Sequence, residues 1–201
     1  MHKPLFAFFL LVSTVVSAQN LSSFKVNLAA GYATPTERGN KDGSSPGFLY
    51  SIEPQYGFMN HFELGVRFEQ AFIQRPEVLG NAIYFESQAK STMSGVLTLN
   101  YVVGKSKAFR PYVGGGAGFY RIAQSEQQVI GASGTALYYP LPVTNKWGAL
   151  VRAGVKVFRF NVEAAFNILE DTAVTNEITN AKLIAKNEYF SVKAGYTFGG
   201  N

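Results

Sequence analysis

The chain has 201 residues and no cysteine. No disulfide can staple it, so its stability rests on the sheet itself. Charge is scarce too. Asp, Glu, Lys and Arg make up 15% of the residues, against about 25% in ordinary soluble domains, so much of the outside is expected to be uncharged. No apolar run reaches the roughly 20 residues a spanning helix requires; if this chain enters a membrane, it does so as strands. No basic cluster is interleaved with aromatics, and a net charge of +5 without one makes nucleic acid a poor partner. What is abundant is Phe (17), Tyr (11) and Gly (20), a mixture suited to pleated, tightly curved sheet.

The opening stretch "MHKPLFAFFLLVSTVVSAQN" has a basic start at Lys3, an apolar run from Leu5 to Val16, and small residues at Ser17 and Ala18. That is the pattern of a secretory signal peptide cut before Gln19. Residues 1–18 are expected to be removed, and residues 19–201 to form one domain. No lipoprotein cysteine follows, so no lipid anchor is expected.

Period-two alternation recurs in eight runs. The first carries Phe24, Val26, Leu28, Ala30 and Tyr32 on one face; the second Phe48, Tyr50, Ile52, Pro54, Tyr56 and Phe58; the third Phe62, Leu64, Val66 and Phe68; the fourth Met93, Leu97, Leu99, Tyr101 and Val103. The fifth, "FRPYVGGGAGFYRI", is glycine-rich, and its phase is taken with Val113, Ala117 and Phe119 on the apolar face. The sixth and seventh lie in "KWGALVRAGVKVFRFNVEAAFN", and the eighth carries Phe190, Val192, Ala194, Tyr196 and Phe198. These runs are close to the roughly 9–11 residues with which a tilted strand crosses a bilayer. The connections alternate long and short along the chain. That pattern predicts an all-β, closed, antiparallel eight-stranded transmembrane barrel with short periplasmic turns and long extracellular loops.

Alternation alone does not say which face is outside, because a lipocalin with an apolar interior has the same period. Three features favour an apolar exterior. The polar face is small, with Gly31, Gly57, Gly65, Gly154 and Gly195 on it, as the narrow interior of an eight-stranded barrel requires. Aromatics gather near the ends of the apolar runs: Tyr32, Phe48, Tyr56, Phe58, Phe62, Tyr101, Trp147, Tyr196 and Phe198 are candidates for two interfacial girdles. No helical segment follows the eighth run. The polar face then places Lys25, Arg67, Arg152, Lys156 and Lys193 in one lumen with Glu53, Glu63, Glu69 and Glu163. A buried charge is costly unless paired, so the near balance of signs suggests an ion-pair network. Two readings stay open for it: a polar core holding the barrel shut, or the lining of a narrow pore.

The signal peptide, the eight amphipathic runs, "RPYVGGGAGFY" and the ending "FSVKAGYTF" resemble the small outer-membrane β-barrel proteins of Gram-negative bacteria: OmpA-like barrel domains, OmpX and OmpW. The resemblance covers essentially the whole of residues 19–201. It implies an outer-membrane location, neighbours that are membrane lipid and lipopolysaccharide, and a monomer. It also implies an assembly signal in the last strand, with Gly195, Tyr196 and Phe198 read by the barrel-assembly machinery. The sequence departs from that signal in one respect, since Gly199, Gly200 and Asn201 follow the terminal aromatic.

Other motifs are set aside. Gly104-Lys105-Ser106 looks like the tail of a P-loop, but Leu99 stands where the first glycine is needed. "GGGAGF" ends in Phe119 and reads as strand rather than as a dinucleotide fingerprint. Some small barrels are lipid A deacylases or acyltransferases, using His with Ser and an acid. Here His61 lies in an expected turn, far from loop residues such as Ser133, so no enzyme is expected. Glu170, Asp171 and Glu177 lack ordered ligand spacing, and no metal or cofactor is expected. The function expected is non-enzymatic: membrane integrity, surface contact or adhesion. The alternatives are a narrow channel for small or apolar solutes, and a soluble exported calycin-like binder.

Overall fold

A computed structural model describes residues 24–36, 46–58, 61–74, 77–78, 85–87, 89–104, 108–130, 136–175, 182–185 and 187–200. The barrel strands are β1 (Phe24–Pro35), β2 (Gly47–Gly57), β3 (Phe62–Gln74), β4 (Ala89–Val102), β5 (Arg110–Ile122), β6 (Thr144–Val157), β7 (Phe160–Leu169) and β8 (Tyr189–Gly199). Each pairs antiparallel with its chain neighbour, and β8 returns to pair with β1, so the barrel closes. Closure leaves no open edge, which is what lets a sheet sit in hydrocarbon without unpaired backbone groups.

The stagger of the barrel can be read from its register. Lys25 pairs with Gln55, then in turn Gly65, Thr98, Gly116, Leu150, Asn167 and Tyr189 follow, and the circuit returns to β1 at Pro35, ten residues beyond its start. A stagger of that size in eight strands corresponds to a tilt of about 40°. Strands of 10 to 14 residues at about 3.3 Å per residue then span roughly 25–35 Å, enough for the ~25 Å apolar band of an outer-membrane barrel.

Parity decides what faces where. Leu28, Ile52, Val66, Leu97, Val151 and Val192 point outward and are exposed. Asn27, Glu53, Arg67, Asn100, Arg152, Glu163 and Lys193 alternate with them and are buried. An exterior this apolar is unstable in water and is satisfied by lipid; the arrangement is the inverse of a lipocalin's.

The two ends differ. At one end the connections are brief, with Phe158 and Arg159 alone joining β6 to β7. Phe158 takes a positive φ of 54°, a left-handed conformation a two-residue hairpin needs and glycine usually supplies. At the other end the connections carry strands of their own. Thr172–Thr175 pairs with Lys182–Ala185, which pairs with Glu77–Val78, while Phe85–Ser87 pairs with Ser125–Ile130, which pairs with Ala136–Leu141. Backbone pairing extends into the stretches 73–90, 123–146 and 168–188 that separate the apolar runs. Ile73 already pairs with Lys90, and β6 begins at Thr144. Backbone pairing continues past the alternating runs, because each backbone N–H and C=O still needs a partner.

Candidate functional site: the charged lumen

The lumen is built in layers, and its middle is a network of ion pairs. Arg152 on β6 reaches Glu53 on β2 with both guanidinium branches, at 2.6 and 2.8 Å, and donates from Nε to Asn100 Oδ1 at 2.8 Å. In the strand order β2 and β6 stand opposite one another, as do β3 and β7. Arg67 on β3 bridges the second diameter to Glu163 on β7 at 3.1 Å, with Glu69 at 2.8 Å on its other side. Lys193 lies 2.8 Å from Glu69 and 3.2 Å from Glu163. Three cations thus meet three carboxylates, and hydroxyls add further bonds to each carboxylate. Thr98 donates to Glu53 at 2.7 Å, Tyr112 to Glu163 at 2.7 Å, and Tyr189 to Glu69 at 3.1 Å. Each of the three carboxylates is thereby both ion-paired and hydrogen-bonded, as buried charges require, while Arg67 Nε has no hydrogen-bond partner among the described residues.

Space for the inward tyrosines comes from glycine. Gly154 lies directly opposite Tyr112, and a Cβ there would stand 2.7 Å from its ring. A Cβ on Gly148 would meet the Tyr120 ring at 2.8 Å.

Two further layers flank the network. Toward the long connections the lumen turns apolar: Ala33, Leu49, Ala71, Ile73, Val96, Leu150 and Leu169 pack with Tyr120 and Tyr189. Tyr120 donates to Asn167 at 3.1 Å. Toward the hairpin-turn end, Lys25 and Lys156 both bond Glu63, and Gln55 also accepts from Lys156. All nine charged residues selected from the sequence therefore line one lumen. Sequence reasoning did not select the apolar layer, Tyr189 or Asn100. The parity of Tyr189 with Ser191 and Lys193 was a usable signal, and so were the doubled apolar residues Phe48-Leu49-Tyr50.

The nine aromatics face outward in two groups. Tyr56, Phe58, Phe62, Tyr101, Tyr196 and Phe198 lie at the hairpin-turn end, with ring centroids 6.0 Å apart for Phe58–Phe62, 5.3 Å for Phe62–Tyr101 and 4.8 Å for Tyr196–Phe198. Tyr32, Phe48 and Trp147 lie toward the long connections, where Phe119 packs on Trp147.

His61 accepts or donates through Nδ1 at 3.0 Å from the Val102 carbonyl, its ring against Tyr101, which is a turn contact. Gly104 has a φ of 86°, and the next described element is the strand β5 from Arg110, not a helix. Glu170 sits 3.7 Å from Lys146, and Lys146 also donates to the Asp171 carbonyl at 3.2 Å. The 1–18 segment, Lys105, Ser106, Ser133 and Glu177 lie outside the described residues.

No protein-family model matches this chain, and no curated protein matches it. Solved structures do. A major outer membrane protein from Thermus thermophilus superposes with a TM-score of 0.51 at 12% identity, over 88% of this chain and 100% of that one. The fold is that of the small eight-stranded outer-membrane β-barrels. The outer membrane protein OprG from Pseudomonas aeruginosa is similar at a TM-score of 0.49 and 12% identity, over 88% of this chain and 97% of its own. The outer membrane enzyme PagL is similar at 0.40 and 14%, over 86% and 98%. Small outer-membrane barrels thus include an enzyme among this chain's structural neighbours, and likeness at such identities speaks for the fold alone.

Proposed function

We propose that this chain is a non-enzymatic, monomeric protein of the outer membrane whose lumen is closed and whose working surface is the end bearing the long connections. The observation that carries this reading is the filling of the lumen. Two ion pairs span its full width, Glu53–Arg152 and Arg67–Glu163, and an apolar layer around Leu49, Ile73, Val96 and Leu150 seals the next level. A hydrated ion would have to break paired buried charges and then cross an apolar plug. The role left is structural or adhesive, with membrane lipid and lipopolysaccharide around the barrel. In the same reading residues 1–18 direct export, and Gly195, Tyr196 and Phe198 mark the last strand for the barrel-assembly machinery.

The non-enzymatic part rests on His61, whose Nδ1 is engaged by the Val102 carbonyl in a turn, away from the long connections. The reading is tested by planar-bilayer conductance of the refolded chain. The expected record has no discrete openings. Sustained conductance that changes in Arg67→Ala or Glu163→Ala would assign the lumen as a pore instead. A first check on the barrel itself is a denaturing gel of boiled and unboiled samples of the outer-membrane fraction, which should migrate differently.

A further inference from the structure

We propose that the mouth of the barrel at its hairpin-turn end binds a phosphate-type oxyanion, held by Arg110 together with Lys25 and Lys156. The charge count changes sharply along the lumen. In the middle, Arg67, Arg152 and Lys193 are matched by Glu53, Glu69 and Glu163. At the mouth, Lys25 and Lys156 share the single carboxylate of Glu63, and Arg110 has no carboxylate partner among the described residues.

Two features of Arg110 favour an anion at this mouth. Arg110 lies directly opposite Lys156 across the β5–β6 pair, on the inward parity of Tyr112. Like charges in that position repel. The Arg110 Nε is also shielded from solvent with no hydrogen-bond partner, a costly state for a donor of charge-assisted bonds. Lys156 is held in place, its Nζ 5.2 Å over the Tyr112 ring. Arg110 stands directly across the strand pair from Lys156, and Lys156 shares the Glu63 carboxylate with Lys25, so one guanidinium and two ammonium groups belong to one mouth. That suits a multi-oxygen anion better than a single carboxylate or chloride. Arg159, in the neighbouring two-residue turn, adds a further cation at this end. The phosphate could be inorganic phosphate in solution or the headgroup of an anionic phospholipid, since the mouth lies at the level of the girdle aromatics Phe58 and Tyr101.

The test uses the full chain refolded in uncharged maltoside micelles without phosphate. Its heat-modifiability midpoint is followed as inorganic phosphate replaces chloride at fixed ionic strength. A saturable rise is expected, absent in Arg110→Gln and retained in Arg159→Gln. In phosphate-free buffer Arg110→Gln should match or exceed the wild type, because the repulsion with Lys156 is gone. Equal effects of phosphate and chloride, or a phosphate response preserved in Arg110→Gln, overturn the proposal. Should Arg110→Gln fail to refold, Arg110→Lys carries the test: loss of the fork should weaken the apparent phosphate affinity about tenfold, and an unchanged affinity overturns it. Nanodiscs then separate the sources. If phosphatidylglycerol nanodiscs abolish the response to added phosphate, the headgroup occupies the mouth; if the response persists there, the free ion does.

Discussion

Glu53 on β2 and Arg152 on β6 clasp each other across the full width of the lumen, through a bidentate pair of 2.6 and 2.8 Å. Strands that never touch in the sheet are thereby tied through the interior. Because both partners are buried, the outcome of cutting the tie depends on which half is removed. Glu53→Gln leaves Arg152 with a desolvated charge compensated by Glu163 alone, and should cost about 3–5 kcal/mol. Glu53→Gln combined with Arg152→Met removes the stranded charge as well, and should recover much of that loss. Urea unfolding in micelles checks both; a double variant as unstable as the sum of the singles contradicts this account.

The apolar layer makes a separate prediction. Leu150 is 1% exposed within a cluster that includes Ile73, Val96 and Tyr189. Leu150→Ala removes three carbons from a site hemmed by closed sheet on every side, which has little freedom to collapse. A loss of about 2–5 kcal/mol is expected. Val151→Ala, one residue on and facing outward, should cost far less, because lipid fills the space it vacates. Comparable losses at the two positions, in the same unfolding assay, would reverse the assignment of faces.

Gly154 tests the packing of the tyrosine beside it. A Cβ at this position would stand 2.7 Å from the Tyr112 ring and 2.5 Å from the Val162 carbonyl. Gly154→Val must displace the ring and with it the hydroxyl that donates to Glu163. The expected cost is about 2 kcal/mol or more. Adding Tyr112→Ala relieves the ring clash, so the double variant should be less unstable than the two single losses added together. Strict additivity would mean that the ring is not what the new side chain meets.

The faces of this barrel were legible in the sequence because β structure writes its two sides with a period of two. Once Arg67 is known to lie inward, Glu63 and Glu69 follow without further information. Partnership was not legible. That Arg152 meets Glu53 and Arg67 meets Glu163 depends on the ten-residue stagger, which sets which residues stand level across the lumen. The stagger emerges only when the circuit of pairings closes. The apolar layer escaped for a different reason. Leu49, Ile73 and Leu150 are apolar residues on the inward parity, so they blur the very alternation used to find the strands. The short strands at 172–175 and 182–185, four residues each, are too brief to show a period in the sequence.

The outward face can be tested with the chain's own probe, since it holds one tryptophan. Trp147 points outward with 65% of its surface exposed, beside Phe119 and toward the long connections. An indole at that level belongs to an interfacial girdle rather than to the bilayer centre. After insertion into vesicles, its emission should shift to the blue relative to the urea-unfolded chain. Quenching by lipids brominated near the headgroup should exceed quenching by lipids brominated near the chain end. Trp147→Phe abolishes the signal and should leave the gel mobility shift intact. Emission that brominated lipids do not quench, yet aqueous iodide does, would place Trp147 in water and require another account of why so many large apolar side chains face outward.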